Sequence, residues 1–250
     1  TGGNVSFYNE TLGKSIYPTP VIGMLGILND PSRGLKIAFR NPGDVILLLD
    51  GAGPFEWGNQ PNLPHSERSA ESSKDRSASF AREFSSSEYS KIIATIVAGE
   101  PPAIDLAAEK RLIDCLVALA SEGVLESAHD VSDGGLAVAI AESCFASFSL
   151  APASAGGGLG ANVKLEDPAP AEFTLFGERG ARAIVSLAPE NLAALLAIAR
   201  QYGVAACEIG KVTRGDVFRI GHKGRAVIES AVEPLRDAWA NSLERMVTGK

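Results

Sequence analysis

The sequence predicts a mixed protein of the α/β or α+β class, because candidate strands and candidate helices alternate along it. Residues 45–49 form an uninterrupted apolar run of strand length, and residues 183–187 form a second, mostly apolar strand candidate. Between these two runs, Leu112, Leu116 and Leu119 recur at the spacing of one helix face. Apolar residues make up 45% of the chain, which is enough for a substantial core.

The first part of the chain is predicted to contain strands and then a boundary. Residues 3–10 alternate in polarity and predict a strand, and residues 21–28 are a short apolar run that predicts a buried strand. Residues 29–34 have the composition of a loop. We therefore expect a domain boundary near residues 30–45.

Residues 51–84 differ from the rest, being rich in Gly, Pro, Asn and Ser with weak apolar periodicity. This composition predicts a long surface insertion that is partly flexible. His65 falls in this segment and is expected to be solvated. Trp57, like Trp239 near the end of the chain, is expected to be a packing residue.

The remaining elements follow from start and stop signals. Asp105 precedes the Leu-rich helix and Glu122-Gly123 ends it. Gly203 occupies the C′ position of a later helix, and Pro234 suits the first turn of the last one. The predicted helices cover about residues 106–121, 135–146 and 189–202, and a last helix begins at about residue 234. Further strands are predicted at 217–220 and 226–232.

Charge and cysteine content exclude several classes of protein. The net charge of -7 argues against a nucleic-acid-binding or anionic-membrane surface. Cys115, Cys144 and Cys207 lack CxxC spacing, which predicts reduced thiols and no zinc site. Cys115 and Cys144 fall in apolar helical patterns, which predicts that they are packing residues. The reduced thiols predict a cytoplasmic protein. No apolar run reaches 18 residues, so no membrane partner is expected.

The first residues offer groups suited to a ligand. Gly2 and Gly3 allow a tight turn and a close backbone approach. Asn4, Ser6 and Asn9 follow with short amide and hydroxyl side chains, which suit magnesium and phosphate. An edge strand with solvated polar residues explains the same pattern, and composition alone favours it.

A second polar group, His129, Asp130, Ser132 and Asp133, stands just before Gly134-Gly135 and an apolar helix. Ser132 or Asp133 could cap that helix, whose N-terminus could also bind an anion. The carboxylates could instead hold a magnesium ion that binds phosphate. The favoured alternative is a structural turn with capping acids and a hydrogen-bonded histidine.

Taken together, these stretches resemble the phosphoribosylformylglycinamidine synthases. The synthetase subunit of this ATP-dependent family contains two halves similar to aminoimidazole ribonucleotide (AIR) synthetase. The resemblance covers nearly the whole chain except about 52–84. It rests on residues 3–10 (GNVSFYNE), 17–24 (YPTPVIGM) and 127–136 (SAHDVSDGGL), with weaker support from 87–89 and 175–178.

The resemblance implies a domain arrangement. Residues 1–30 would end an AIR-synthetase-like N-terminal-type domain, and 31–45 would be a linker. Residues 46–250 would form a complete AIR-synthetase C-terminal-type domain, with the surface insertion at about 51–84. The missing initiator Met fits a C-terminal piece whose N-terminal part is a further partner.

The resemblance also implies a reaction. Formylglycinamide ribonucleotide, ATP and glutamine-derived ammonia would give formylglycinamidine ribonucleotide in purine biosynthesis, with magnesium as cofactor. Gly3 would approach ATP, Asn4 would ligate magnesium and Ser6 would bind the ribonucleotide substrate. A glutaminase subunit and a small bridging subunit would be partners. No catalytic base or nucleophile is visible, so this piece alone is expected to be inactive.

Two departures from the family pattern concern the second motif. The first half of the synthetase is expected to carry a substrate-binding Glu-Ser-Gln, where this chain has Glu178-Arg179-Gly180. Glu178 could instead pair with Arg182. The family's Leu-Gly-Gly-Ser-Glu-Tyr turn has lost both glycines at residues 84–89. The motif would therefore line a degenerate site with a structural role or an auxiliary nucleotide, whose residues are His129, Asp130, Ser132 and Asp133.

Two other functions stay open. One is a related ATP-using enzyme of the same fold, namely AIR synthetase, selenophosphate synthetase or thiamine-phosphate kinase; residues 4–10 argue against these. The other is a non-catalytic scaffold for a glutaminase. A basic group of His222, Lys223 and Arg225 could meet a phosphate, but an exposed hairpin turn explains it more simply.

Overall fold

A computed structural model describes residues 10–11, 13–15, 23, 25–28, 30–53, 84–96, 98–149 and 158–248. The chain divides into two compact units, Thr1–Ser32 and Arg33–Lys250. Most of the predicted insertion, at 54–83, and most of the predicted strand at 3–10 lie outside the described residues.

The first unit contains a short antiparallel pair, β1 (Glu10–Thr11) with β2 (Lys14–Ser15). The prediction of a buried strand at 21–28 is wrong for its described residues. Residues 23 and 25–28 are not in a strand, and Leu25, Ile27 and Leu28 are exposed. An apolar run becomes a strand only where a neighbour pairs its backbone, and β1–β2 is the pairing found among the described residues of this unit.

The described part of the second unit is built on a seven-stranded mixed sheet with the order β4-β6-β3-β7-β5-β8-β9. Neighbouring strands are antiparallel except β5 and β8, which are parallel. The strands are β3 (Val45–Asp50), β4 (Ser127–Asp130), β5 (Leu159–Leu165), β6 (Arg182–Leu187), β7 (Ala205–Arg214), β8 (Val217–His222) and β9 (Arg225–Ala231).

Helices cover both faces of this sheet. They are α1 (Glu88–Ile93), α2 (Leu106–Ser121), α3 (Gly135–Ser147), α4 (Ala171–Phe176), α5 (Leu192–Tyr202), α6 (Val232–Ala240) and α7 (Ser242–Thr248). Short 3-10 turns occur at Pro31–Arg33 and Pro189–Asn191.

Strand β3 lies at the centre of the core and confirms the predicted buried strand. All six of its residues are buried, because β6 and β7 flank it and helices cover both faces. Its side chains alternate between two clusters. Ile46 and Leu48 pack in the cluster that includes α3, and Leu47 packs in the cluster that includes α2 and α5.

The three cysteines are free and buried within these clusters, which confirms the packing role predicted for Cys115 and Cys144. Burial raises the pKa of Cys115 and of Cys207 to about 11, and it raises the pKa of Cys144 as well. All three thiols are therefore protonated near neutral pH and are poor nucleophiles or metal ligands.

The predicted long helices are confirmed, although α5 begins at Leu192, after the 3-10 turn Pro189–Asn191, and not at 189. The Asp105 side chain caps α2 by accepting hydrogen bonds from the N–H groups of Ala107 and Ala108, both at 2.9 Å. Helix α5 ends at Gly203, whose φ of +67° is the left-handed conformation that glycine tolerates. Helix α6 begins at Val232, two residues before the predicted start, so Pro234 lies in its first turn.

The expectation for His222 is wrong in one respect. It is the last residue of β8 and is buried, and the turn itself is made by Lys223 and Gly224. The Lys223 ammonium donates to the carbonyl oxygen of Pro168 at 2.6 Å, so this cation has a structural partner.

Gly210 lies where the register between β3 and β7 shifts, and it pairs with Ile46 on one side and Val163 on the other. A Cβ atom at this position would lie 2.2 Å from the carbonyl oxygen of Asn162. Because that oxygen belongs to the paired backbone of β5, it cannot move without breaking the ladder. Strand pairing at the centre of the sheet therefore requires a glycine here.

Gly210→Ala should lower the free energy of unfolding by roughly 1–3 kcal/mol, the range for an overpacked interior, and towards the upper end because the clash is with backbone. Urea denaturation of the chain measures this change. Gly26→Ala is the control, since nothing lies within 4 Å of a Cβ there. Equal stability of both variants would show that β5 and β7 can separate freely.

Candidate functional site

The second polar motif occupies the connection from the edge strand β4 to α3. The N–H of Val131 donates to the carbonyl oxygen of Arg182 at 3.0 Å, which keeps the chain against β6 until the strand ends. Gly134 and Gly135 then have φ values of +78° and +71° and turn the chain into α3. A Cβ on Gly135 would lie 2.8 Å from the carbonyl oxygens of Leu175 and Gly177, so the turn packs against the end of α4.

The side chain at the head of α3 is Glu178, half-buried and distant in sequence. Its Oε1 accepts hydrogen bonds from the N–H of Gly134 at 2.8 Å and from the N–H of Glu88 at 3.0 Å. The first is the N-cap residue of α3, and the second is the first residue of α1. One carboxylate therefore lies at the N-termini of two helices, where a negative charge is favoured.

The expected capping of α3 by Ser132 or Asp133 is wrong. No side chain caps the helix from its N-cap residue Gly134, and the N–H of Gly135 donates to the backbone carbonyl of Ser132 at 2.9 Å. Two successive left-handed glycines change the direction of the chain at this point. The anion at this helix end is thus supplied by the protein itself, through Glu178.

The loop around Glu178 is fixed by further polar contacts. Arg179 forms an ion pair with the buried Asp50 at the end of β3. The N–H of Ala181 donates to Oε1 of Glu109 at 2.6 Å, and the guanidinium of Arg182 donates to the carbonyl oxygen of Gly177 at 2.7 Å. These contacts belong to the stretch where the sequence suggested a Glu178–Arg182 ion pair. Their effect is to hold the Glu178 carboxylate in place.

The turn at residues 84–89 is a capped helix start and needs no glycine. The Ser87 hydroxyl accepts from the N–H of Ser90 at 3.3 Å and donates to the carbonyl oxygen of Phe84 at 2.6 Å. Ser85 and Ser86 are not among the described residues with positive φ. Aromatic contacts hold the turn against α4: the Phe84 ring lies 4.5 Å from that of Phe173, and Tyr89 stacks on Phe176 at 4.5 Å.

His129 is hydrogen-bonded through both ring nitrogens. Its Nδ1 lies 3.1 Å from Oδ1 of Asp130, and its Nε2 lies 2.9 Å from Oε2 of Glu142 on α3. Burial by itself would raise the pKa of Asp130, but hydrogen bonds from His129 and Ser132 outweigh it and hold that pKa below its ordinary value. Asp130 is therefore ionised at neutral pH.

A cleft of about 700 Å³ brings the four motif residues together with distant parts of the chain. One wall is apolar, with residues of α2 and of the segment before it. The other wall is polar and mostly acidic. The apolar wall includes Pro101, Pro102, Leu112, Ile113 and Leu116, and the polar wall includes His129, Asp130, Ser132, Asp133, Glu178 and Arg182.

Several polar side chains of this cleft already contact other groups of the protein. Across the described part of the chain, no group of three or more His, Cys, Asp and Glu side chains is arranged to hold a metal ion. The guanidinium of Arg182, the cation among the polar residues, donates to backbone carbonyls. The first site predicted from the sequence, at Gly3, Asn4 and Ser6, lies outside the described residues, as do Trp57 and His65.

Comparison with known proteins identifies relatives over nearly the whole chain. The family model "AIR synthase related protein, C-terminal domain" matches residues 41–223. The chain is 36% identical over 243 residues to phosphoribosylformylglycinamidine synthase subunit PurL of Moorella thermoacetica, covering 97% of this chain and 28% of the relative. It is 38% identical over 241 residues to the subunit of the same name of Anaeromyxobacter sp., covering 96% and 27%. The chain thus spans just over a quarter of the length of these relatives.

Solved structures agree with the architecture. The structure of Thermotoga maritima PurL complexed with FGAR superposes with a TM-score of 0.57 at 24% identity, covering 82% of this chain and 30% of that one. This similarity and the seven-stranded sheet in the described residues confirm the predicted AIR-synthetase-like α/β fold.

Glu178→Ala should lower the free energy of unfolding by about 2–3 kcal/mol, because two N–H groups lose a charged acceptor. Glu178→Gln keeps an acceptor oxygen and should cost about half as much. Chemical denaturation compares both variants with Glu166→Ala, an exposed loop residue. A Glu178→Ala protein as stable as the control would mean that the carboxylate contributes nothing to the junction.

Proposed function

Because the chain belongs to the family of AIR synthase related proteins, whose C-terminal domain it contains, we propose that it is the C-terminal part of the synthetase subunit of phosphoribosylformylglycinamidine synthase. The observation that carries this proposal is the 36–38% identity to curated relatives of that name over 96–97% of the chain. Since the chain spans just over a quarter of those relatives, we assign the activity to the longer protein.

In the proposed reaction, the formyl amide oxygen of formylglycinamide ribonucleotide is phosphorylated at the expense of ATP. Ammonia from a glutaminase subunit then displaces phosphate and leaves the amidine. A magnesium ion would neutralise charge on the phosphates. No base or nucleophile of this chain takes part in the proposed step, so residues 1–250 alone do not catalyse it.

The proposed contribution of this chain is made by its first residues. Gly3 has no Cβ and lets its backbone approach the nucleotide. Asn4 supplies a neutral oxygen ligand for magnesium, and Ser6 supplies a hydroxyl for the ribonucleotide. The support for these roles is the residue types, their spacing and the family resemblance of residues 3–10.

For the cleft between β4 and α2 we propose a structural role. Its support is the position of Glu178 at the head of α3 and the hydrogen bonds that engage His129 and Arg182. The second candidate is an auxiliary nucleotide site, which the cleft volume of about 700 Å³ favours. The apolar wall suits a base, whereas the acidic wall would repel phosphates.

The outer face of α2 supports the proposal that the chain works within a larger protein. Leu106, Ile113 and Val117 are 76%, 56% and 60% exposed, and they share the face opposite to the buried Leu112 and Leu119. A helix with apolar residues on both faces is normally covered on both. We propose that the N-terminal part of the same protein covers this face.

The proposed partners of the longer protein are the glutaminase subunit and the small bridging subunit, and the proposed location is the cytoplasm. Within the described residues, none of the helices combines the length and the apolar character that crossing a membrane requires. The acidic charge of the chain is consistent with a small-molecule substrate rather than nucleic acid.

Equilibrium dialysis of the assembled full-length protein with ADP tests the role of the cleft. A structural role predicts one nucleotide per synthetase subunit, bound at the proposed catalytic site. If a second ADP binds per subunit and this binding is lost in Ile113→Asp, the auxiliary site is established instead, since Ile113 lines the cleft. Leu243→Asp is the control, because it adds the same charge to an exposed position of α7 that belongs neither to the lining of the cleft nor to the outer face of α2.

Asn4→Ala in the full-length enzyme should slow ammonia-dependent phosphate release about 10–100-fold, the range for perturbing the surroundings of a metal site. Ser6→Ala should mainly raise the KM for the ribonucleotide, because it removes a contact also made in the ground state. Steady-state kinetics at varied magnesium and substrate, with a parallel thermal melt, separates the two effects. The isolated chain, assayed beside them, should release no phosphate. If both variants kept wild-type kinetics, residues 3–6 would have a structural role and the proposed ligand contacts would be wrong.

A further inference from the structure

A hydrogen-bonded path connects the cleft to helix α6. Glu142 on α3 uses both carboxylate oxygens: Oε2 lies 2.9 Å from Nε2 of His129, and Oε1 accepts from the indole N–H of Trp239 at 3.2 Å. His129 lines the cleft, whereas Trp239 lies on α6. The carboxylate therefore links two residues that are 110 positions apart in the chain.

His129 constrains the position of Glu142. The imidazole side chain is only 11% exposed, and the carboxylate of Glu142 is 26% exposed. An ionised carboxylate is an acceptor only, so the contact requires an N–H on Nε2. Removing that N–H would leave a partly buried carboxylate with one protein donor in place of two, which favours its rotation towards water.

Helix α6 is anchored at its start, where Val232 is buried in the core cluster and Leu235 packs against it. Of its nine residues, all of which the structure describes, only Val232 is buried. Trp239 is 57% exposed, and its ring lies 5.8 Å from that of Phe145 on α3. The guanidinium of Arg236 lies 5.2 Å from the ring centre of Phe148, just after α3. Because the apolar burial of α6 is concentrated at its start, the hydrogen bond from Trp239 to Glu142 adds to the ring contacts that attach its far end.

We propose that Glu142 is a positioning residue that couples the cleft to α6, so that loss of the His129 contact loosens the helix. When a molecule or protein segment enters the cleft and takes His129 away from Glu142, the loss of that contact affects α6 by the same route. The coupling does not depend on which ligand the cleft binds. It is therefore independent of the function proposed above.

The chain offers a matched pair of substitutions at His129. In His129→Gln the amide N–H can take the place of the Nε2–H and still donate to Glu142. In His129→Asn the shorter amide replaces the Nδ1 side, facing Asp130, and cannot reach Glu142. Asp130→Asn serves as the control, because it alters the other partner of the same ring.

The experiment uses the full protein labelled with 5-fluorotryptophan, in which the fluorine resonance that disappears in Trp239→Phe is that of residue 239. Hydrogen exchange of residues 232–240 is measured on the same variants. We expect His129→Asn to shift the resonance and to speed exchange in α6 roughly 3- to 30-fold, the range for couplings within one hydrogen-bond network. His129→Gln and Asp130→Asn should leave both close to wild type.

A background carrying Glu142→Ala completes the test. There, His129→Asn should produce no further shift and no further increase in exchange, because the connecting carboxylate is gone. The proposal is overturned if His129→Asn affects α6 equally with and without Glu142, or if it affects α6 no more than Asp130→Asn does. A thermal melt of each variant confirms that the compared proteins are folded.

Discussion

The carboxylate of Glu178 is the contact on which the geometry of the candidate site depends. It accepts hydrogen bonds from Gly134 and Glu88, and so joins the segments that begin α3 and α1 to the loop that follows α4. The loop is in turn held by the ion pair of Arg179 with Asp50 and by the contact of Ala181 with Glu109. The junction positions polar residues of the cleft, because Ser86 lies just before α1 and residues 129–133 lie just before α3.

This junction also changes how the motif at 127–136 is interpreted. A polar turn before a glycine pair and a helix is a favourable place for an anion, because backbone N–H groups and the helix dipole meet there. In this chain a negative side chain from elsewhere already lies at that helix end. Asp130 and Asp133 add further negative charge to the cleft, while His129 is held between two carboxylates. The residue types of this motif suit a phosphate, but the negative charge at the start of α3 is the carboxylate of Glu178.

The sheet explains why such a junction can exist. Strand β3 separates two apolar clusters, one that includes α3 and one that includes α2 and α5. Edge strand β4 contacts β6 alone within the sheet, so its far end is free to turn into α3 beside the loop before β6. The apolar outer face of α2 belongs to the same region, next to the cleft. This side of the described unit combines a fixed polar junction with an apolar surface that can meet the rest of a longer protein.

The sequence by itself determined the elements whose signals are local. The apolar run of β3, the helical spacing of Leu112 and Leu119, the cap at Asp105 and the left-handed Gly203 all act within a few residues, and the structure agrees with each. The motifs also pointed to the family. Strands β5 and β7 and the short helices α1 and α4 were not predicted, because polar residues interrupt these strands and six-residue helices depend on tertiary packing.

Only the tertiary structure decided how the polar side chains are used. Residues 25–28 lack a strand partner among the described residues, although their composition suits a buried strand. Ser132 and Asp133 do not cap α3, and Glu178 does not act through its near neighbour Arg182 in the contacts described for it, but through N–H groups 44 and 90 residues away. Glu142 links His129 to Trp239 only because α3, β4 and α6 meet in space. Hydrogen bonds between distant segments depend on the packing of the whole sheet, and no local pattern of residues encodes them.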